Sequence, residues 1–183
     1  MAEQPGKADT RPFTYAGMST ASLSLRELLD YSATETLRWR DWLATQPPEI
    51  LELPAGTGRT ATVRQLIHHI VVVERRYADR IRDEPVATYE DIPSDSIEVL
   101  FGAFADARRH LDEWVMNASE ADFARELEFT TLSAGTRVAS ARKIVVHALL
   151  HGIRHWAQVA MVVRQHGHPT DWFHDILMSD ALT

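Results

Sequence analysis

The chain has 183 residues, 45% hydrophobic and 25% charged, which suits a single domain with a sizeable core and an ordinary globular composition. A formal charge of −7 leaves no basic stripe to neutralise phosphates, so a nucleic-acid footprint is not expected, and pairs such as Arg75-Arg76 and Arg108-Arg109 read as solvated helix faces. The absence of cysteine excludes disulfides, thiolate metal sites and cysteine nucleophiles, in keeping with a reducing compartment.

Residues 1–20 are polar, hold Pro5 and Pro12, and lack the apolar stretch of a signal peptide. They read as a flexible arm ahead of one domain over residues 21–183. No apolar run is long enough to cross a bilayer, so the expected location is cytoplasmic, with no membrane partner.

Ser24-Leu25-Arg26-Glu27 places a hydroxyl three residues before a carboxylate, the pattern of a capping box, and opens a helix from Leu25 to Ala44. Gln46-Pro47-Pro48 stops it, and Pro54, Gly56 and Gly58 mark Leu51 to Thr60 as a loop or short turn. A second helix runs from Val63 to Arg82 after Thr62, with Leu66, Ile70, Val73, Tyr77 and Ile81 at helical spacing. The run Ile70 to Val73 is β-branched, but its flanks favour helix. A third helix follows Asp95-Ser96 and continues to about Asn117.

Leu127 to Thr131 and Thr136 to Val138 alternate around Gly135, which predicts a small β-hairpin or, as the rival reading, an extended loop. Ser140 opens a fourth long helix, Ala141 to Gly167, with Pro169 just beyond, and a last short helix is expected over Trp172 to Met178. The predicted class is all-α: a four-helix bundle with a short extra C-terminal helix and a hairpin between helices 3 and 4.

The fourth helix carries His147, His151 and His155 at four-residue intervals, nearly one above the other on a single face. His69 of the second helix also points toward the core. Buried imidazoles need partners, and two readings remain open: core histidines each satisfied by a hydrogen bond, or a cation shared by His69, His151 and His155. Three protein ligands leave positions free for water or substrate, and a cation there lowers the pKa of bound water. An all-imidazole site suits zinc or nickel foremost, then iron or cobalt, and serves magnesium and calcium poorly. His147, one turn earlier, and Arg76, near the His69 line, are candidates for substrate contact. Glu74 points well away from His69 and reads as a surface or inter-helix salt-bridge residue. His166, His168 and His174 are expected to be exposed.

These residues carry a resemblance. His69 followed five places later by Glu74 resembles the second-helix signature of the DinB (YfiT-like) superfamily, and His147 to Gln158 resembles its fourth-helix motif, a histidine followed by N-H-G-x-H-H-R-G-Q. The sequence departs from that motif at Trp156 and Ala157 and retains Gln158. The resemblance implies an up-down-down-up bundle, a divalent metal on His69, His151 and His155, and a homodimer. It further implies a metal-dependent enzyme acting on a small molecule, a transferase using a low-molecular-weight thiol or a hydrolase. The competing class is a non-catalytic metal-binding or stress-response module.

Overall fold

The computed structural model describes residues 22–131 and 135–182; the expected arm over residues 1–20 and the hairpin tip, residues 132–134, lie outside the described residues. Helix α1 (Leu25–Ala44) begins where the Glu27 N–H donates to Ser24 Oγ (3.1 Å) and the Ser24 N–H donates to the Glu27 carboxylate (2.7 Å), so two orphan donors are satisfied reciprocally. Helix α2 (Val63–Ile81) is capped by Thr62, but Gln65 reaches back to the Ala61 N–H, one residue earlier than a capping box requires. Helix α3 (Ile97–Asn117) starts on Ser96.

A five-residue helix, α4 (Glu120–Ala124), then intervenes, closed by reciprocal bonds between Ser119 and Asp122. Strands β1 (Glu126–Thr131) and β2 (Gly135–Ser140) pair antiparallel from Glu126↔Ser140 to Thr131↔Gly135, which decides for the hairpin over the loop. Helix α5 (Ala141–Gln165) follows without a break, capped by Ser140. It ends in a Schellman motif: Gly167 takes a φ of +86°, its N–H donates to Arg164, and the His168 N–H donates to Val163.

Specific contacts fix the directions of the long helices. Arg64, near the start of α2, donates to the carbonyls of Ser94 and Asp95 just ahead of α3, and Arg82, just past the end of α2, donates to His110 near the end of α3. The two helices therefore run the same way. Leu28 and Leu29 at the start of α1 share a core with Ala141 and Val145 at the start of α5 and with Tyr77 and Ile81 at the end of α2. Trp39, Leu43, Val63, Leu66 and Val163 meet at the other end. So α1 and α5 run together, opposite to α2 and α3. Each fully buried Leu, Ile or Val of these clusters contributes about 1.5–3 kcal/mol, which is what holds four amphipathic helices together.

Three expectations need correction. Trp172 to Met178 is not a helix; only Ile176–Met178 forms a 3-10 turn, and Phe173 and Leu177 are 76% and 80% exposed. So few residues cannot offset helix nucleation, and the segment is held by side chains instead, with the Trp172 indole and His174 Nδ1 both at the buried Glu35 carboxylate. His174 is accordingly half-buried, stacked on Trp39, rather than exposed, and His168 is half-buried as well, whereas His166 is exposed as expected. Arg108 is not a solvated residue: it is 6% exposed and pairs with Glu74 on α2, Nε to Oε1 at 2.8 Å and Nη2 to Oε2 at 2.9 Å, while Nη1 and Nη2 also reach Leu29 O and Ser32 Oγ on α1. The inter-helix role expected for Glu74 thus holds, in the core rather than at the surface.

Candidate metal centre

Helices α2 and α5 lie side by side, and their inward stripes bring His69 against His151 and His155. His151 Nε2 stands 3.1 Å from the Nε2 of His69 and 3.1 Å from the Nε2 of His155. One ring nitrogen from each of the three lies within 4.8 Å of the other two. With metal–nitrogen bonds of about 2.0–2.1 Å, ligand nitrogens stand about 2.8–3.4 Å apart between right-angle and tetrahedral arrangements, so the two 3.1 Å spacings fit a shared cation.

The proton inventory fits as well. His155 Nδ1 donates to Gln158 Oε1 at 2.5 Å, which leaves its Nε2 with a lone pair. His69 Nδ1 meets the Tyr89 hydroxyl at 2.6 Å, and in the tautomer where it donates, its Nε2 is also a lone pair. His151 Nδ1 is buried with no hydrogen-bond partner. With its proton on Nδ1, His151 leaves that N–H without a partner whether or not a cation is bound, but the three Nε2 lone pairs then face one another with no donor between them, and a cation matches all three.

Burial also keeps the rings neutral. It pushes His69 down to about 4 and His151 down to about 2, in each case reinforced next by the neighbouring His155 ring. His155 is likewise lowered by burial, partly opposed by its bond to Gln158. At pH 7 the centre therefore offers lone pairs. It also opens outward: His69 is only partly buried, and His147, Arg154 and Gln158 around it are exposed.

The two residues expected to touch substrate fall beside the triad. The His147 ring packs 5.7 Å from His151 and 5.2 Å from Tyr77, outside the group of converging nitrogens. Arg76 lies two turns beyond His69, with Nη1 donating to Ala87 O at 2.5 Å. Two further residues at the site came without a role in the sequence reading. Tyr89 sits in the α2–α3 connection, its ring under the Arg59 guanidinium (4.2 Å) and stacked on His69. Gln158 was visible as a retained motif residue one turn past His155, but not as its hydrogen-bond acceptor. Trp156 is 3% exposed, stacked between Trp39 and Phe101, with its indole donating to Thr36 Oγ1. It serves the core, not the site.

A second group, Asp79, Glu84 and His110, also brings possible ligand atoms together, near a cleft of about 600 Å³ at the C-terminal ends of α2 and α3. There the carboxylates are already engaged: Asp79 accepts from Arg75 and the Ala87 N–H, and Glu84 from Arg82. His110 Nδ1, like His151 Nδ1, has no hydrogen-bond partner, but of the two groups the triad alone turns three ring nitrogens, with no cationic partner, toward one another.

Compared with known protein families, the chain matches the DinB family over residues 18–180. It belongs to the DinB family. A comparison with curated proteins gives no match. The DinB match spans all four long helices and both histidine-bearing stretches. No described helix is long and apolar enough to cross a membrane.

Proposed function

We propose that this DinB protein is a metal-dependent enzyme acting on a small molecule, a thiol-dependent transferase or a hydrolase, with His69, His151 and His155 as ligands of one divalent ion, zinc or nickel foremost. The observation that carries the reading is the convergence of three Nε2 atoms from two helices, two of them backed through Nδ1 by Tyr89 and Gln158. In this reading residues 21–183 are one domain, an up-down-down-up four-helix bundle that serves as the rigid frame of the site.

A bound divalent ion supplies Lewis acidity, lowering the pKa of a coordinated water or thiol. The chain's own residues do the rest. Tyr89 and Gln158 hold the Nδ1 protons of His69 and His155, so the lone pairs stay aimed at the centre. His147, at the rim with its ring partly desolvated against Tyr77 and His151, has its pKa lowered chiefly by that desolvation, so it is neutral at pH 7 and able to accept a proton. The polar, exposed rim of His147, Arg154 and Gln158 favours substrate access over a sealed structural ion.

The test is elemental analysis of protein purified without chelator or affinity-tag nickel, followed by assays of thiol addition to an electrophile and of ester hydrolysis. The expected result is one equivalent of transition metal per chain, lost in His151→Ala, with turnover that depends on it. Substoichiometric metal in the unmodified protein overturns the assignment of ligands, and full loading without turnover in either assay overturns the enzyme reading.

A further inference from the structure

The wall of rings that begins at the triad continues well past it. Centroids step from His151 to His147 (5.7 Å), from His147 to Tyr77 (5.2 Å) and from Tyr77 to Phe129 (6.2 Å), a run of rings from the candidate metal centre to strand β1 in which His147 is exposed, Phe129 half-buried and the other two buried. Along its α2 edge, His69, Val73, Arg76 and Arg80 follow at spacings of four, three and four residues, one stripe of the helix. Both arginines are half-buried.

The Arg80 guanidinium lies over Tyr77 (5.3 Å) and Phe129 (5.7 Å), and its Nη1 donates to the Arg76 carbonyl at 3.3 Å. Arg76 spends one donor on Ala87 O. Among the described residues neither forms an ion pair, and Asp79, which lies between them in sequence, is taken by Arg75 and the Ala87 N–H. Each guanidinium carries five N–H donors, so most remain unspent. Two half-buried like charges one helical turn apart favour an anion near them, in a chain that is net negative as a whole. The flanking ring faces select which anion. A planar, weakly hydrated guanidinium between aromatic rings suits an organic carboxylate better than a strongly hydrated inorganic ion.

We infer that Arg76 and Arg80 form a carboxylate subsite beside the candidate metal centre, for a small organic acid whose carbon skeleton lies against Phe129 and His147. Arg76 is seven residues, about 10 Å of helix rise, beyond His69. With the reach of its side chain, an acid of one ring or a short chain spans the subsite and the triad. This inference rests on the proposed enzyme reading for what happens at the far end of the ligand, not for the anion itself.

The experiment is calorimetric titration of the full chain with benzoate, acetate and inorganic phosphate, in metal-free and zinc-loaded protein, for wild type and for the Arg76→Gln, Arg80→Gln double variant. Benzoate is expected to bind more tightly than acetate or phosphate. Its affinity should fall by about ten- to a hundredfold in the double variant, while zinc stoichiometry is unchanged. Equal benzoate affinity in wild type and double variant overturns the inference, as does phosphate binding as tightly as benzoate. Arginine-dependent benzoate binding in a protein that takes up no zinc supports the subsite and sinks only the metal assignment. Should the double variant not fold, Arg80→Lys alone, which keeps the charge and loses the planar fork, must weaken benzoate binding; if it does not, the inference falls.

Discussion

Helix α2 carries two buried polar clusters five residues apart, and they are built on opposite plans. At Glu74 a carboxylate meets the Arg108 guanidinium through paired contacts of 2.8 and 2.9 Å, with Leu29 and Ser32 of α1 taking further donors, and both side chains are almost fully buried. At His69 three nitrogens of the same kind face one another, one ring has an unmatched Nδ1, and the surroundings open to solvent. In the first cluster each charge meets its opposite within the chain. In the second, like groups face one another, and that contrast separates a structural ion pair from a candidate binding site on the same helix.

The contrast can be broken most forcefully at the closed cluster. Arg108→Ala leaves the Glu74 carboxylate buried and uncompensated, even though burial already raises its pKa, and should cost about 3–5 kcal/mol in denaturant unfolding while leaving metal stoichiometry intact in whatever fraction folds. At the open cluster the stability change should depend on metal. Zinc or nickel at a hundredfold excess over its Kd should raise the unfolding free energy of the wild type by about 2.7 kcal/mol and that of His151→Ala not at all. An equal rise in both would place the ion elsewhere.

Smaller effects sharpen the picture of the supports. Tyr89→Phe and Gln158→Leu keep all three Nε2 ligands and remove the partners of Nδ1, so metal affinity should drop by about ten- to a hundredfold, as read by competition with a chromophoric chelator. The signal smallest near neutrality is the pH dependence of the metal-free protein. Unfolded imidazoles take up protons near pH 6.5, whereas folded His69 holds out to about 4 and folded His151 to about 2. The unfolded state therefore binds more protons over that window, and stability should fall as pH drops from about 6.5 toward 4, with bound metal steepening the loss. Urea midpoints measured from pH 7.5 to 5 that stay flat would remove the buried, neutral triad.

Much of this could be read from the sequence because it is written locally. Caps at Ser24, Thr62, Ser96 and Ser140 and apolar spacing placed the ends of all four long helices to within two residues. The imidazole ladder lay on one face of one helix, and the spacing of His69 relative to Leu66 and Val73 supplied the inward partner. What stayed hidden depends on how elements rotate against each other or on segments without periodicity. The Arg108–Glu74 pair requires the packing of α3 on α2, and an Arg-Arg dipeptide looks solvated until that packing is known. Tyr89 sits in a connection whose path no spacing rule describes. Helix α4 is closed by Ser119 and Asp122, a capping pattern that the sequence reading did not take up.

Trp156 stands directly after His155 and stacks with Trp39, which in turn touches Trp42, Trp172 and His174. Four of the five indoles in the chain thus form a single luminescent cluster coupled through the backbone to one of the three converging imidazoles. Cobalt, nickel and copper ions quench nearby indole emission and zinc does not, so an ion of the first kind at the triad would dim that emission, a readout that needs neither a label nor a known substrate.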